Sequence, residues 1–213
     1  INSLKNGSFS TLNSYEEVQL AERLLDLHPF MDMVRFSRTG GEANALSIRI
    51  GRAASGKDKV AMCGYHGWHD WYLAANIEGE NRLEGLLLPG LSANGVPKSL
   101  SKSTLPFQYG NIKELEKHIE NNHDIGVICV EVQRGDEPDL DFLRKVQAIA
   151  KKINAVLVFD EISSGFRLSI GGLYKNYNLE PDVVVLGKAL GNGFAISAIM
   201  GKKSVMEAAQ ESF

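Results

Sequence analysis

The chain has 213 residues, of which 44% are hydrophobic and 23% charged, so it can bury one sizeable core and falls in the ordinary globular class. Its formal net charge of -3 offers no basic field to draw nucleic acid or an anionic membrane, and neither is expected as a partner. Cys63 and Cys129 each lie inside an apolar run, which reads as two reduced core residues of a cytoplasmic protein rather than a disulfide framework.

The opening "INSLKNGSFS" lacks Met, an n-region and an apolar h-region, so no signal peptide is expected and the chain reads as starting part-way through a longer protein. Apolar residues then recur at helical spacing in "YEEVQLAERLLDLH", Tyr15 to His28, and residues 1–30 are expected to form an N-terminal helical segment. The stretch "RTGGEANAL", Arg38 to Leu46, sets Thr39, Gly40 and Gly41 at the start of a second helix. Exposed N–H groups there, at the positive end of the helix dipole, suit a phosphate. Thr39 can equally cap the helix, with Glu42 completing a capping box. "GRAASGKD" comes close to a phosphate-cradling loop. However, Asp58 stands where the magnesium-binding hydroxyl belongs and a helix precedes it, so nucleotide hydrolysis is not expected.

"KVAMC" reads as a buried strand, and "CGYHGWHDW" gathers Tyr65, His66, Trp68, His69 and Trp71 just past it. An aromatic ring there can stack on a planar group. His66, His69 and Asp70 are metal-ligand types, but no further Cys/His pair supports them and no metal site is expected. The region from Glu80 to Tyr109 mixes Gly, Pro, Ser and Asn with little periodicity, which predicts a long surface excursion. Beyond it, "IKELEKHIENN" and "DLDFLRKVQAIAKKI" read as helices. "IGVICVEV", "AVLVFD", "VVVLG" and "ISAIMG" read as short apolar strands.

Continuous Val/Ile/Leu runs alternating with amphipathic helices predict an α/β fold, a mostly parallel sheet with helices on both faces. Ligands in such sheets sit outside the carboxyl ends of the strands, where Glu131, Asp160 and the "GKALGNG" loop all fall. In "VVVLGKALGNGFAISAIMG", Val183 to Gly201, the only charged side chain is Lys188. Glycines and an asparagine interrupt this run, so it reads as a strand, a tight loop and a second strand, not a membrane span. An amine set beside apolar strands is expected to have a lowered pKa, and as a neutral amine it can attack a carbonyl to make a Schiff base. Alternatively it snorkels from a loop to solvent. Asp160, at the tip of its strand, can hold a proton on a ring nitrogen and keep a pyridine cationic, or simply cap the next turn.

Taken together, "RTGGEA", "GYHG", "FDEISSGFR", "PDVVVLGKALGNG" and "AISAIMG" resemble the class III, pyridoxal-phosphate-dependent aminotransferases, most closely their glutamate-1-semialdehyde aminomutase branch. The likeness runs from about Arg35 to the end, with a weaker echo in "NGSFSTLNSYEEVQLAERLL". It implies a fold type I large domain over residues 31–213, incomplete here because "KKSVMEAAQESF" stops before a small C-terminal domain. It also implies pyridoxal 5'-phosphate as cofactor, a small-molecule amino donor and carbonyl acceptor, and a homodimer. By the same match Lys188 carries the cofactor and Asp160 meets its ring nitrogen. Thr39, Gly40 and Gly41 approach its phosphate, Tyr65 and Ile162 flank its ring, and His66 belongs to the same pocket. Arg38 and Glu131 are assigned to the substrate side. Three departures stand out. Gly41 replaces a Thr and Arg38 a frequent Asn, while "VEVQRGDEPDLDFL" keeps Glu131 but is shortened and lacks the proline after it. Arg38 is expected either to offset the hydroxyl missing at Gly41 or to hold an anionic group of the substrate. A cofactor-binding relative without turnover, or an aminotransferase of surface-sugar or specialised amino-compound synthesis, is the alternative.

Overall fold

The computed structural model describes residues 14–79, 82–86, 92–133 and 135–210. The first thirteen residues of the expected N-terminal segment therefore lie outside the described residues, as do parts of the Glu80–Tyr109 stretch, Arg134 and the last three positions. Helix α1, Tyr15–Leu27, is capped by Ser14, whose hydroxyl accepts the Glu17 N–H at 3.1 Å. Strand β1, Met33–Ser37, leads into α2, Gly40–Ser55. Strand β2, Lys59–Cys63, is followed by the single turn α3, Asp70–Leu73, and by β3, Thr104–Pro106. Helix α4, Ile112–Asn121, precedes β4, Ile125–Glu131, and α5, Leu140–Ile153, precedes β5, Val156–Asp160. Strands β6, Val183–Leu186, and β7, Ser197–Gly201, and the short α6, Lys203–Met206, complete the order.

The seven strands form one sheet in the order β1-β7-β6-β5-β4-β2-β3. Strands β3, β2, β4, β5 and β6 run parallel, and β7 is antiparallel to both β6 and β1. This is the expected mostly parallel α/β sheet. Because strand side chains alternate between faces, each apolar run divides between two cores. Val127 and Cys129 of β4, Val156 and Val158 of β5, and Val183 and Val185 of β6 pack toward α2. Ile128 and Val130, Leu157 and Phe159, and Val184 and Leu186 pack toward α4 and α5. Burying one such side chain contributes about 1.5–3 kcal/mol, and only a sheet covered on both faces buries every residue of a run.

Two strands leave no mark in the periodicity. All five β1 residues are half-buried, including Arg35, so no clean alternation appears. Strand β3 has three residues and ends at Pro106, a residue that an edge position tolerates because the missing N–H would face away from the sheet. The surface excursion expected between Glu80 and Tyr109 is corrected in part: Leu83, Leu86, Thr104, Leu105 and Phe107 are buried. Short apolar islands separated by glycine, serine and proline have no period, yet each can still be buried.

Behind the sheet, α1 is locked down through His28. Its Nδ1 lies 2.8 Å from the Tyr174 hydroxyl and its ring stacks on Tyr174 at 5.8 Å. Burial, and secondly the neighbouring Lys175 ammonium, lower its pKa from 6.5 to about 4. A base whose folded pKa is depressed binds its proton more readily when unfolded, so its contribution to stability is intact above 6.5 and is lost as pH falls toward 4. Unfolding free energies measured across this window should fall by on the order of 3 kcal/mol, and His28→Gln should flatten that part of the curve.

Candidate active site

Because β2, β4, β5 and β6 are parallel, Cys63, Glu131, Asp160 and Leu186 finish at one edge, with Glu131 and Asp160 side by side in register. Asp160 is 4% exposed. Its Oδ2 accepts Asn44 Nδ2 and His66 Nδ1, each at 2.8 Å, and its Oδ1 accepts the Ile162 N–H at 2.9 Å. A carboxylate offers about four acceptor positions, so three donors stabilise the charge and leave room for one more.

His66 faces acceptors at both ring nitrogens, since Nε2 lies 3.1 Å from the Cys63 carbonyl and Nδ1 meets the carboxylate. A neutral imidazole has one N–H and can satisfy only one of them, so this geometry calls for the imidazolium. Burial opposes that charge. Against it stand Cys129, whose own thiol burial pushes up and so keeps uncharged at neutral pH, and the Asp160 carboxylate, which supplies the charge that counts. The outcome is a His66 pKa held well above 6.5.

Lys188 opens the turn after β6 with a left-handed φ of 44°. Its Nζ donates to Ser163 Oγ at 2.7 Å. The setting expected from its apolar flanks is corrected here: β6 and β7 are buried, but Lys188 itself is exposed, because the chain leaves the sheet one residue earlier. The amine is instead tied to the turn that Asp160 begins. Ile162, in that turn, is the wedge of the site. A Cβ on Gly40 would come within 2.7 Å of Ile162 Cδ1, and one on Gly187 within 3.4 Å of Ile162 Cγ2. The start of α2, the 161–163 turn and the Lys188 turn are thus packed on one side chain.

At the start of α2 the capping box is fully formed. Thr39 Oγ1 accepts the Glu42 N–H, while Glu42 Oε2 accepts the N–H groups of Arg38 and Thr39. The Thr39 hydroxyl therefore serves the helix, as the capping reading expected. The N–H groups of Gly40 and Gly41 take no protein acceptor among the described residues. Ser197 Oγ donates to the Thr39 carbonyl at 2.8 Å and stands 2.7 Å from Ser37 Oγ, which pins the helix start to β1 and β7.

Tyr65 is half-buried, with its ring edge-on to Tyr72 at 5.6 Å. Its N–H donates to Glu131 Oε2 at 3.1 Å. Glu131 is 7% exposed, and its carboxylate supports the Gly64–Tyr65 backbone. Arg38 is exposed beside the capping box. The imidazoles of His66 and His69 diverge, one toward Asp160 and the other toward Gly41. Sequence reasoning missed Asn44 and Ser163. Asn44 carried a signal, an amide on the buried face of α2, where only Ser47 among the other buried residues is polar. Ser163 carried none, because only the fold brings it to Lys188.

In ¹⁵N-labelled protein, both His66 nitrogens should still lie in the imidazolium range at a pH where an ordinary histidine, with its pKa near 6.5, has become neutral. Asp160→Asn should bring neutralisation below that pH. With the folded pKa raised, the stabilisation is complete below 6.5 and fades as pH climbs through the folded value.

The chain as a whole is similar to known proteins. The class III aminotransferase family profile matches residues 1–212. A 3-aminobutyryl-CoA aminotransferase of Cloacimonas acidaminovorans is 34% identical over 215 residues, covering 97% of this chain and 48% of that protein. A glutamate-1-semialdehyde 2,1-aminomutase of Nitrosopumilus maritimus is 36% identical over 212 residues, covering 96% and 48%. Among solved structures, an omega-transaminase from Sphaerobacter thermophilus superposes with a TM-score of 0.81 at 25% identity, over 96% of this chain and 48% of that one. The chain thus spans about half the length of the relatives it matches. With the family profile matching residues 1–212 and the fold shared, the chain belongs to the class III aminotransferases.

Proposed function

We propose that this chain forms the cofactor-binding part of an enzyme that uses pyridoxal 5'-phosphate to move an amino group, either between a small-molecule donor and a carbonyl acceptor or within one molecule. The carrying observation is Asp160, a buried carboxylate with three donors at the strand edge that also bears Lys188. Both relatives named above move amino groups, and a solved transaminase with PLP bound shares the fold at a TM-score of 0.83.

The residues fit this cofactor. The remaining acceptor position on Asp160 suits the N–H of a protonated ring, and the unclaimed N–H groups of Gly40 and Gly41, at the positive end of a sixteen-residue helix, suit a phosphate. Ile162 offers an apolar surface and Tyr65 an aromatic one for the two faces of a planar ring. When bound, the group supplies an aldehyde for the amine and a cationic ring that draws electrons from the carbon bearing the amino group.

The protein's own part is to place and protonate. Lys188 provides the amine and carries a proton to and from the reacting carbon, while Ser163 Oγ orients Nζ. Asp160 keeps the ring nitrogen protonated, and Asn44 and His66 hold the Asp160 carboxylate in position through their hydrogen bonds. Arg38, exposed beside the helix start, is placed to meet an anionic part of the substrate. Glu131 acts on the substrate side through the Tyr65 backbone that it supports.

The same reading makes the protein a cytoplasmic homodimer with residues 31–213 as its large domain. Two buried free cysteines support a reducing compartment. Trp68, Leu168, Ile170 and Phe194, large apolar side chains left exposed on the loops beside the site, support a partner subunit. Among the described residues no helix is long and apolar enough to cross a membrane.

Borohydride treatment of the full-length holoenzyme should fix the pyridoxyl label on Lys188, and a label on another lysine would refute the assignment. Lys188→Ala should cut turnover by about 10²–10⁴-fold, the range of a positioned acid–base group, with the fold intact. Asp160→Asn should weaken cofactor binding about 10–100-fold, as expected for losing a charge-assisted hydrogen bond. Near-normal turnover in Asp160→Asn would refute its role.

A further inference from the structure

Position 41 has no side chain, yet a hydroxyl there would stand beside the unclaimed N–H groups of α2. That space is already taken. A Cβ on Gly41 would lie 3.1 Å from Cδ2 and 3.2 Å from Nε2 of His69, so the Nε2 edge of the ring is the part turned to the helix start. A longer side chain at 41 and the imidazole at 69 are alternatives for one volume.

Two contacts hold the ring there. Gly67, at φ 102°, packs so closely that its own Cβ would meet Gly41 Cα at 2.8 Å, which draws the 64–69 loop down onto α2 in a way only glycine permits. On the other side the indole of Trp68 stacks on His69 at 5.1 Å, the planes 5° apart. His69 is half-buried, and its nitrogens take no protein hydrogen-bond partner among the described residues. Arg38, for which offsetting the missing hydroxyl was one of two expected roles, is exposed beside the capping box, whereas His69 abuts the vacant position itself.

We propose that His69 is a phosphate-binding residue of the cofactor site, its Nε2 replacing the side-chain hydroxyl that position 41 lacks. With Nε2 protonated, the ring donates to a phosphate oxygen beside the N–H groups of Gly40 and Gly41, and as the imidazolium it also adds charge. The assignment rests on the reading above that the start of α2 receives the phosphate of pyridoxal 5'-phosphate.

The test titrates full-length apoprotein with pyridoxal 5'-phosphate and, in parallel, with pyridoxal, which has the same ring and aldehyde but no phosphate. His69→Ala should weaken binding of the phosphorylated form about tenfold, one decade being about 1.4 kcal/mol, and leave pyridoxal affinity unchanged. His69→Gln, which keeps a donor and most of the volume, should lose less and serves where alanine disturbs the loop. Adding Gly41→Thr to His69→Ala should recover much of the loss, because the cleared space admits the hydroxyl. Equal losses for both ligands, or no loss in folded variants, overturn the role of His69. A parent protein that binds neither ligand overturns the cofactor reading itself, and this proposal with it.

Discussion

A carboxylate buried at the tip of a central strand, Asp160, is the constraint around which the rest of the site is arranged. Removing a charge from water is expensive unless partners replace the lost solvation. Asp160 recovers that solvation from three separate elements: Asn44 of α2, His66 of the loop after β2, and the N–H of Ile162. The same hydrogen bonds that stabilise the charge therefore fix the relative positions of a helix, a loop and a turn. Removing either side-chain donor leaves the Asp160 charge less compensated and frees the element that donor belongs to from the strand end.

The neighbouring residue shows how one strand end serves two purposes. Asp160 and Glu161 are adjacent, and strand alternation turns them to opposite faces. Glu161 is fully buried and accepts the Tyr174 N–H at 2.7 Å and the Ser164 hydroxyl. Burial raises its pKa despite those hydrogen bonds. It braces the segment that returns toward β6, and Tyr174 carries the brace on to His28 and α1. One carboxylate thus faces Asn44 and His66 at the strand edge, and the other holds the scaffold from behind.

Close backbone approach is the second constraint. Gly40 lies against Ile162 and Gly41 against His69 and Gly67, so the helix start reaches the loops with no side chain intervening. An anion-binding helix terminus works only if its N–H groups remain open to the ligand. Here Thr39 and Glu42 engage the outer amides and leave those of Gly40 and Gly41 unclaimed.

Much of the fold was legible in the chain. Runs such as "KVAMC" and "AVLVFD" end within a residue of the observed strands, because full burial on both faces demands unbroken apolar sequence. Asp160 and Lys188 stood out for the same reason, as charges at the ends of such runs. Short or half-exposed elements were not legible: β1 and β3 bury too little, or are too short, to impose a period. The partners of the site were also hidden. That Ser163 meets Lys188, that Glu131 turns to the Tyr65 backbone, and that His66 must carry two protons depend on which loops the parallel strands bring to one edge. By itself the sequence determined the layers and the charged residues at their edge, since burial acts locally on each run. Pairing and protonation were decided only by tertiary structure, since both depend on distances between residues far apart in the chain, such as Asn44 and Asp160, 116 positions apart.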